Sequence, residues 1–130
     1  MSIPKGSITP DEAKTLNDAY TARHQVISES VTMRPDNRSS WYSLEEIQDF
    51  LSSAAAQAKD LGYEMDGIRI YCGAYPDQEG EVGLSTAFMV PTGTPIEGGG
   101  EGNGGSRDIP EGNGLNLGQQ GEPPGANYPQ

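Results

Sequence analysis

The side chains best suited to nucleophilic chemistry in this sequence are Cys72 and His24, its only cysteine and its only histidine. A thiol enzyme needs such a pair within hydrogen-bonding distance, together with a third group that orients the base. No motif around Cys72 supports that arrangement, and hydrophobic periodicity places both residues on core-facing sides, where they typically serve packing. A small thiol enzyme that uses Cys72 and His24 is therefore an alternative hypothesis, and catalysis is not the leading one.

The sequence contains none of the motifs that typically bind metal ions or phosphate groups. Residues 77–81 carry carboxylates at alternate positions, as the start of a calcium-binding loop does, but Val82 and Phe88 replace the glycine and the glutamate that such a loop needs. A single cysteine excludes a multi-cysteine zinc site, and no glycine-rich phosphate loop follows a strand and opens a helix. The sequence predicts no metal site and no cofactor.

The charge balance narrows the classes of partner. The chain has 130 residues, with 19 Asp and Glu against 8 Lys and Arg, for a net charge of −11. Binding to nucleic acid or to an anionic membrane needs clustered cations, so we expect no nucleic acid and no membrane as partners.

No long apolar run or secretory signal is present, which predicts a cytoplasmic protein. An acidic inhibitor that mimics nucleic acid is a further alternative.

Composition divides the chain near Thr92. Residues 93–130 contain 12 of the 18 glycines and 5 of the 10 prolines, a content typical of a tail that builds no core of its own. We predict a small domain over 1–92 and an acidic Gly/Pro-rich tail over 93–130, either disordered or docked in extended form. Within the tail, Leu115 and Leu117 share one side of an extended segment that would add to an exposed sheet edge.

Two helices are predicted from capping boxes and apolar periodicity. Thr9, Pro10 and Glu12 form a helix start, and the apolar spacing continues to about residue 29. Ser43 and Glu46 form a second capping box for a helix over about 44–61. Gly62 is the expected left-handed residue after that helix. The aromatic pair 41–42 just before it is interpreted as a core anchor, with an exposed binding hot spot as the alternative.

The strands are predicted from alternation of apolar residues. Residues 68–75 place Ile68, Ile70 and Cys72 on one face, residues 84–90 form a second strand, and residues 30–33 suggest a further short strand. The short acidic connection favours an antiparallel hairpin. The predicted fold class is α+β, with two amphipathic helices packed on one face of a small antiparallel two- or three-stranded sheet and a flexible C-terminal tail.

The outer sheet face is the predicted binding surface. If the helices cover the face with Ile68 and Ile70, the opposite face carries Arg69, Tyr71, Tyr75 and Met89, a patch too apolar for ordinary solvated surface. Either the protein's own tail, a second copy or a foreign partner covers this patch, or the patch is tolerated on the surface without a covering. The leading hypothesis is therefore a non-enzymatic protein–protein interaction module that self-associates or docks a protein partner on this face, and Leu115 and Leu117 contribute if the tail takes part.

Four stretches resemble a pattern in small uncharacterised bacterial proteins of unknown function. They are residues 40–46, 66–71, 73–76 and 90–92, so the resemblance covers about residues 40–92. It implies one compact unit followed by a variable tail. It carries no activity over to this chain.

Overall fold

The structure, a computed structural model, describes residues 3–97, 106–116, 119–120 and 128–129. The chain divides into two compact units. We call the first the N-terminal unit; it comprises Met1–Ser39, Tyr75–Ser85 and Gln120–Gln130. We call the second the sheet unit; it comprises Ser40–Ala74 and Thr86–Gln119.

The N-terminal unit begins with helix α1, Pro10–Val26. The predicted capping box is confirmed, because the Glu12 amide donates to Thr9 Oγ1 at 3.1 Å and the Thr9 amide donates to Glu12 Oε1 at 2.7 Å. The helix continues into a π-helical turn, Ile27–Val31, in which the Thr32 amide reaches back to the Ile27 carbonyl at 2.9 Å. This wider turn uses the residues of the short strand predicted over 30–33, and that prediction is wrong.

The interior of the N-terminal unit is polar. Asp36 is fully buried, and its carboxylate accepts from the Ser85 amide at 2.7 Å and from Ser85 Oγ at 2.5 Å. Asn37, also buried, donates from Nδ2 to the Ser85 carbonyl at 3.0 Å, while the Asp36 amide donates to Ser28 Oγ at 2.9 Å. A buried carboxylate is tolerated only when such donors replace water. This network therefore fixes the segment 75–85 against the residues that follow α1.

In the sheet unit, helix α2 spans Leu44–Asp60. Its capping box is confirmed, with the Glu46 amide 2.9 Å from Ser43 Oγ. Gly62 has a φ of 88°, the left-handed conformation expected of the residue after the helix. The helix buries Phe50, Ala54 and Ala58, which lie at the i, i+4 and i+8 positions of one stripe. That stripe packs on the sheet.

The sheet has three strands in the order β2-β3-β4, with bounds Tyr63–Ala74 for β2, Ser85–Pro95 for β3 and Arg107–Asp108 for β4. The short strands β1, Ser40–Trp41, and β5, Gln119–Gln120, form a separate two-stranded sheet. The predicted α+β class with a small antiparallel sheet is confirmed. The described helices include none that is long and apolar enough to cross a membrane.

The faces of the sheet differ from the prediction. Met89 is only 6% exposed and forms the core cluster with Phe50 and Ala54, so its assignment to the outer face is wrong. Ile68 and Ile70, predicted to be inward, are 38% and 63% exposed. Alternation along a strand defines two sets of side chains but does not decide which set faces the helix. In the structure, helix α2 packs on the sheet face that carries Met89, and it contacts β2 near Met65.

The aromatic pair before α2 is divided between surface and core. Tyr42 packs against the core cluster, and its hydroxyl donates to the Ala87 carbonyl at 3.1 Å. Trp41 is 58% exposed, so its interpretation as a core anchor is wrong. The second strand of the predicted hairpin is longer than expected, because β3 crosses the predicted domain boundary at Thr92 and ends at Pro95. The division into 1–92 and 93–130 stays a prediction.

Candidate functional site

Residues 106–116, here called the docked segment, lie along the β3 edge of the sheet. Asp108 pairs with Thr92 in antiparallel register, and the Ile109 amide donates to the Pro91 carbonyl at 3.0 Å. Further on, Leu115 and Met89 exchange two backbone hydrogen bonds, each of 2.9 Å. This part of the tail is therefore docked on β3 by antiparallel pairing at Arg107–Asp108 and again at the predicted site residue Leu115, with a turn between the two paired stretches. Leu117 lies outside the described residues.

A carboxylate of the docked segment is held by two predicted site residues. Arg69 Nη1 donates to Asp108 Oδ1 at 2.5 Å, and the Tyr71 hydroxyl donates to Asp108 Oδ2. Arg69 also donates from Nη2 to the Ser106 carbonyl at 3.1 Å. The ring of Tyr71 stacks on Phe88 with centroids 5.3 Å apart, which fixes the position of its hydroxyl. The structure thus brings Arg69 and Tyr71 together on the protein's own tail.

The charges at this contact favour the docked state. The Tyr71 hydrogen bond, with the Arg69 guanidinium in support, holds the pKa of Asp108 below its ordinary value. The same hydrogen bond raises the pKa of Tyr71, and the bond to Asp108 raises the pKa of Arg69. The three pKa shifts mean that the contact stabilises the ionised form of Asp108, the neutral form of Tyr71 and the protonated form of Arg69. These are the forms that all three groups have near neutral pH.

A second carboxylate fixes the beginning of the docked segment. Asp66 accepts from Ser106 Oγ at 2.6 Å through Oδ2 and from Thr92 Oγ1 at 2.8 Å through Oδ1. The Ser106 hydrogen bond, followed by that of Thr92, lowers the pKa of Asp66. Thr92 is itself buried, 3% exposed. Asp66 and Arg69 both belong to β2. Strand β2 therefore forms hydrogen bonds with side-chain and backbone groups of the docked segment, although the backbone of that segment pairs with β3.

An apolar anchor follows the charged contact. Ile109 is 5% exposed and is the buried hydrophobic residue of the docked segment. Next to it, Gln57 of α2 accepts from the Asn113 amide at 2.9 Å and donates to the Glu111 carbonyl at 3.5 Å. Glu111 has a φ of 66°, and the Gly112 amide closes the turn on the Ile109 carbonyl at 3.1 Å. The segment is therefore held on both its sheet side and its helix side.

The end of the docked segment depends on a close backbone approach. A Cβ added at Gly114 would lie 2.8 Å from the Met89 carbonyl oxygen, so no larger residue fits without a shift. Asn116 Nδ2 donates to the Ala87 carbonyl at 2.8 Å and to Thr86 Oγ1 at 3.0 Å. Residues 111–114 repeat the Glu-Gly-Asn-Gly sequence of residues 101–104. In this second copy, Gly114 is a glycine that the strand pairing requires. The first copy, 101–104, lies outside the described residues.

Tyr75, the remaining predicted binding residue of the outer face, belongs to the N-terminal unit. With Arg34, Asn37 and the acidic connection it lines a cavity of about 370 Å³. Gly83 also lines this cavity, and a Cβ added there would lie 1.7 Å from the Tyr75 carbonyl oxygen. Tyr75 thus belongs to a different unit from Arg69, Tyr71 and Asp108.

The residues of the thiol-enzyme hypothesis have other surroundings. Cys72 is exposed, so its predicted core-facing position is wrong; α2 packs on the beginning of β2, and Cys72 lies near its end. His24 Nε2 lies 2.8 Å from the Asp36 carbonyl and 3.5 Å from Ser28 Oγ, within the polar interior of the N-terminal unit. These contacts give His24 a structural role. In the described ranges, no three His, Cys, Asp or Glu residues are grouped to hold a metal ion.

Comparison with known proteins gave no match among protein-family models, curated proteins or solved structures. The resemblance of residues 40–92 to small bacterial proteins therefore stays a prediction.

Proposed function

We propose that this protein is a non-enzymatic protein–protein interaction module that binds extended acidic peptide segments along β3, with residues 106–116 as its resident ligand. The observation that carries the proposal is the docked segment itself. Its backbone adds to the sheet while its carboxylate, Asp108, is held by Arg69 and Tyr71. Strand addition combined with a side-chain contact is an established mode of peptide recognition.

The contacts define the chemistry of a competing ligand. Backbone hydrogen bonds to β3 are independent of sequence, so specificity comes from the side chains. The position of Asp108 requires a carboxylate, since a guanidinium and a phenol donate to it. The next position, Ile109, requires an apolar side chain that becomes buried. A partner would therefore present an acidic residue followed directly by a branched aliphatic one, in extended conformation.

The resident ligand also regulates access to the site. Because the docked segment is tethered to the sheet, its effective concentration is on the order of millimolar, and a free peptide competes poorly with it. A partner must bind more tightly than this, or exchange its own copy of the segment with that of a second molecule. The partner class is therefore a protein or a second copy of this chain. The net charge of −11 supports the exclusion of nucleic acid.

A cytoplasmic location is part of the proposal. Cys72 is an exposed free thiol in the part of the chain that the structure describes. Exposed unpaired thiols persist in reducing compartments.

The test is a binding titration in which the resident ligand is weakened in the full chain. A fluorescent peptide with the sequence of residues 105–116 is titrated with wild-type protein and with the Ile109→Ala variant, and its anisotropy is measured. We expect tighter binding to the variant than to the wild type, because the substitution weakens the docked segment and the free peptide then competes with it more readily. The matched control peptide carries Asn in place of Asp108 and should bind at least about tenfold more weakly. Equal binding of both peptides to the variant, or no binding of either, contradicts the proposal.

A further inference from the structure

Strand β2 forms the other edge of the sheet, and none of the described strands pairs with its outer side. It is 12 residues long, which is long for an edge strand, and it contains neither proline nor lysine. Its one cation, Arg69, is bound to Asp108 of the docked segment. Natural proteins protect exposed edges with such residues or with a covering element, so an edge without them is a template for another strand.

The side chains along this edge are apolar and exposed. Ile68 is 38% and Ile70 63% exposed, and Cys72 is exposed as well. The three alternate with Arg69 and Tyr71, so they share one face of β2. An apolar row beside an open edge is the combination expected at an interface and not on a solvated surface.

The backbone of these same residues points away from β3. Directly after β2, the Tyr75 amide donates to the Leu84 carbonyl at 3.0 Å. In an antiparallel pair, hydrogen bonds to a given neighbour alternate along the strand, so the odd-numbered residues of β2 bond towards β3. The amide and carbonyl groups of Ile68, Ile70 and Cys72 are thus directed to the outer edge, where a further strand would accept and donate.

We propose that β2 pairs in antiparallel register with β2 of a second copy of this chain, about a two-fold axis at Ile70. In this register Ile70 lies opposite Ile70 of the second copy, and Ile68 lies opposite its Cys72. On the other face, Arg69 lies opposite Tyr71 of the second copy, so no like charges meet there, and both side chains keep their bonds to Asp108. The strand thus complements itself, as a two-fold interface requires.

Neighbouring registers are worse for identifiable reasons. An axis at Arg69 places the two Arg69 cations directly opposite each other, which is destabilising. An axis at Ile68 places the Asp66 carboxylate opposite Ile70. An axis at Tyr71 shortens the paired region, because β2 ends at Ala74. The register at Ile70 is the one that pairs apolar with apolar side chains and avoids like charges.

The backbone pairing of this interface uses the outer edge of β2, whereas the proposed peptide site pairs with β3. The two sites share the side chains of Arg69 and Tyr71, so the variants tested here leave both residues unchanged. The first test measures the sedimentation equilibrium of the full wild-type chain over a wide concentration range. We expect a monomer–dimer equilibrium, and at least a tenfold weaker association for Ile70→Lys. Ile96→Lys is the matched control, since Ile96 is 53% exposed and lies outside β2. A wild-type chain that stays monomeric throughout, or equal effects of the two variants, overturns the proposal.

The second test fixes the register by disulfide formation under mild oxidation. In the double variant Cys72→Ser/Ile70→Cys, the only thiols lie opposite each other on the axis, at a separation that suits a disulfide. We expect rapid formation of a covalent dimer. In the wild type, Cys72 lies four residues along from its counterpart, about 13 Å, and should not cross-link. Dimers of wild type that form as fast as those of the double variant contradict the proposed register.

Discussion

Replacing Ile109 by alanine tests whether the docked segment is part of the folded structure. Ile109 is 5% exposed, so the substitution removes three buried carbon atoms from the contact with the sheet. At about 0.8 kcal/mol per buried methylene, the transfer cost is roughly 2.4 kcal/mol, and the cavity left behind brings the total to about 2–4 kcal/mol. This is a large fraction of the stability of a domain of this size.

The assay is urea unfolding of the full chain, followed by the fluorescence of Trp41. We expect the free energy of unfolding to fall by about 2–4 kcal/mol in Ile109→Ala. In the control variant Ile96→Ala, which removes the same atoms from a side chain that is 53% exposed, the change should stay within about 0.5 kcal/mol. If the segment detaches before the sheet unfolds, the loss appears as exposure of the Leu115 amide instead. Equal stability of the two variants, with Leu115 equally protected, would refute the docking of Ile109.

Three further predictions concern charge, close packing and the N-terminal unit. Because docking lowers the pKa of Asp108, the Asp108 carboxylate stabilises docking at pH values above its ordinary pKa of 3.8, and this contribution is lost as the pH falls through the lowered pKa. Because docking raises the pKa of Tyr71, the Tyr71 phenol stabilises docking at pH values below its ordinary pKa of 10.0, and this contribution is lost as the pH rises through the raised pKa. The protection factor of the Leu115 amide should therefore decrease as the pH falls through the pKa of Asp108 and as it rises through the pKa of Tyr71, whereas Asp108→Asn should abolish the acid transition. Gly114→Ala places a Cβ 2.8 Å from the Met89 carbonyl oxygen, and we expect loss of the Leu115 exchange protection with little change in the circular dichroism of the helices. Asp36→Ala leaves two donors without their acceptor in the N-terminal unit and should lower the free energy of unfolding by at least about 2 kcal/mol, which unchanged urea unfolding would contradict.

The local signals in the sequence predict the helices well because helix ends depend on nearest neighbours. Thr9 with Glu12, and Ser43 with Glu46, each form the capping box within four residues of chain. Gly62 similarly follows from the conformation that the end of α2 requires. The π-helical turn after α1 was missed, because it depends on a backbone hydrogen bond that any residues can make.

The candidate site is only partly predictable, because it depends on contacts between distant residues. Alternation placed Arg69 and Tyr71 together on one face, as strand geometry dictates. It assigned Met89 to the wrong face, since the choice is made by Phe50 and Ala54, roughly 35 to 40 residues earlier in the chain. Asp108 is not predictable from the sequence, because an acidic residue in an acidic, glycine-rich tail carries no local signal. Its role follows only from the position of Arg69 across the sheet.

Hydrogen exchange at the Leu115 amide of the intact chain tests the central claim most directly. That amide donates to the Met89 carbonyl at 2.9 Å, and it can do so only while the docked segment lies on β3. We predict slow exchange in the wild type at neutral pH, measured by NMR, and a rate at least tenfold higher in Asp108→Asn, because Arg69 and Tyr71 lose their carboxylate. Exchange of Leu115 in the wild type at the rate of an unstructured peptide would contradict the docking of residues 106–116 and the function proposed from it.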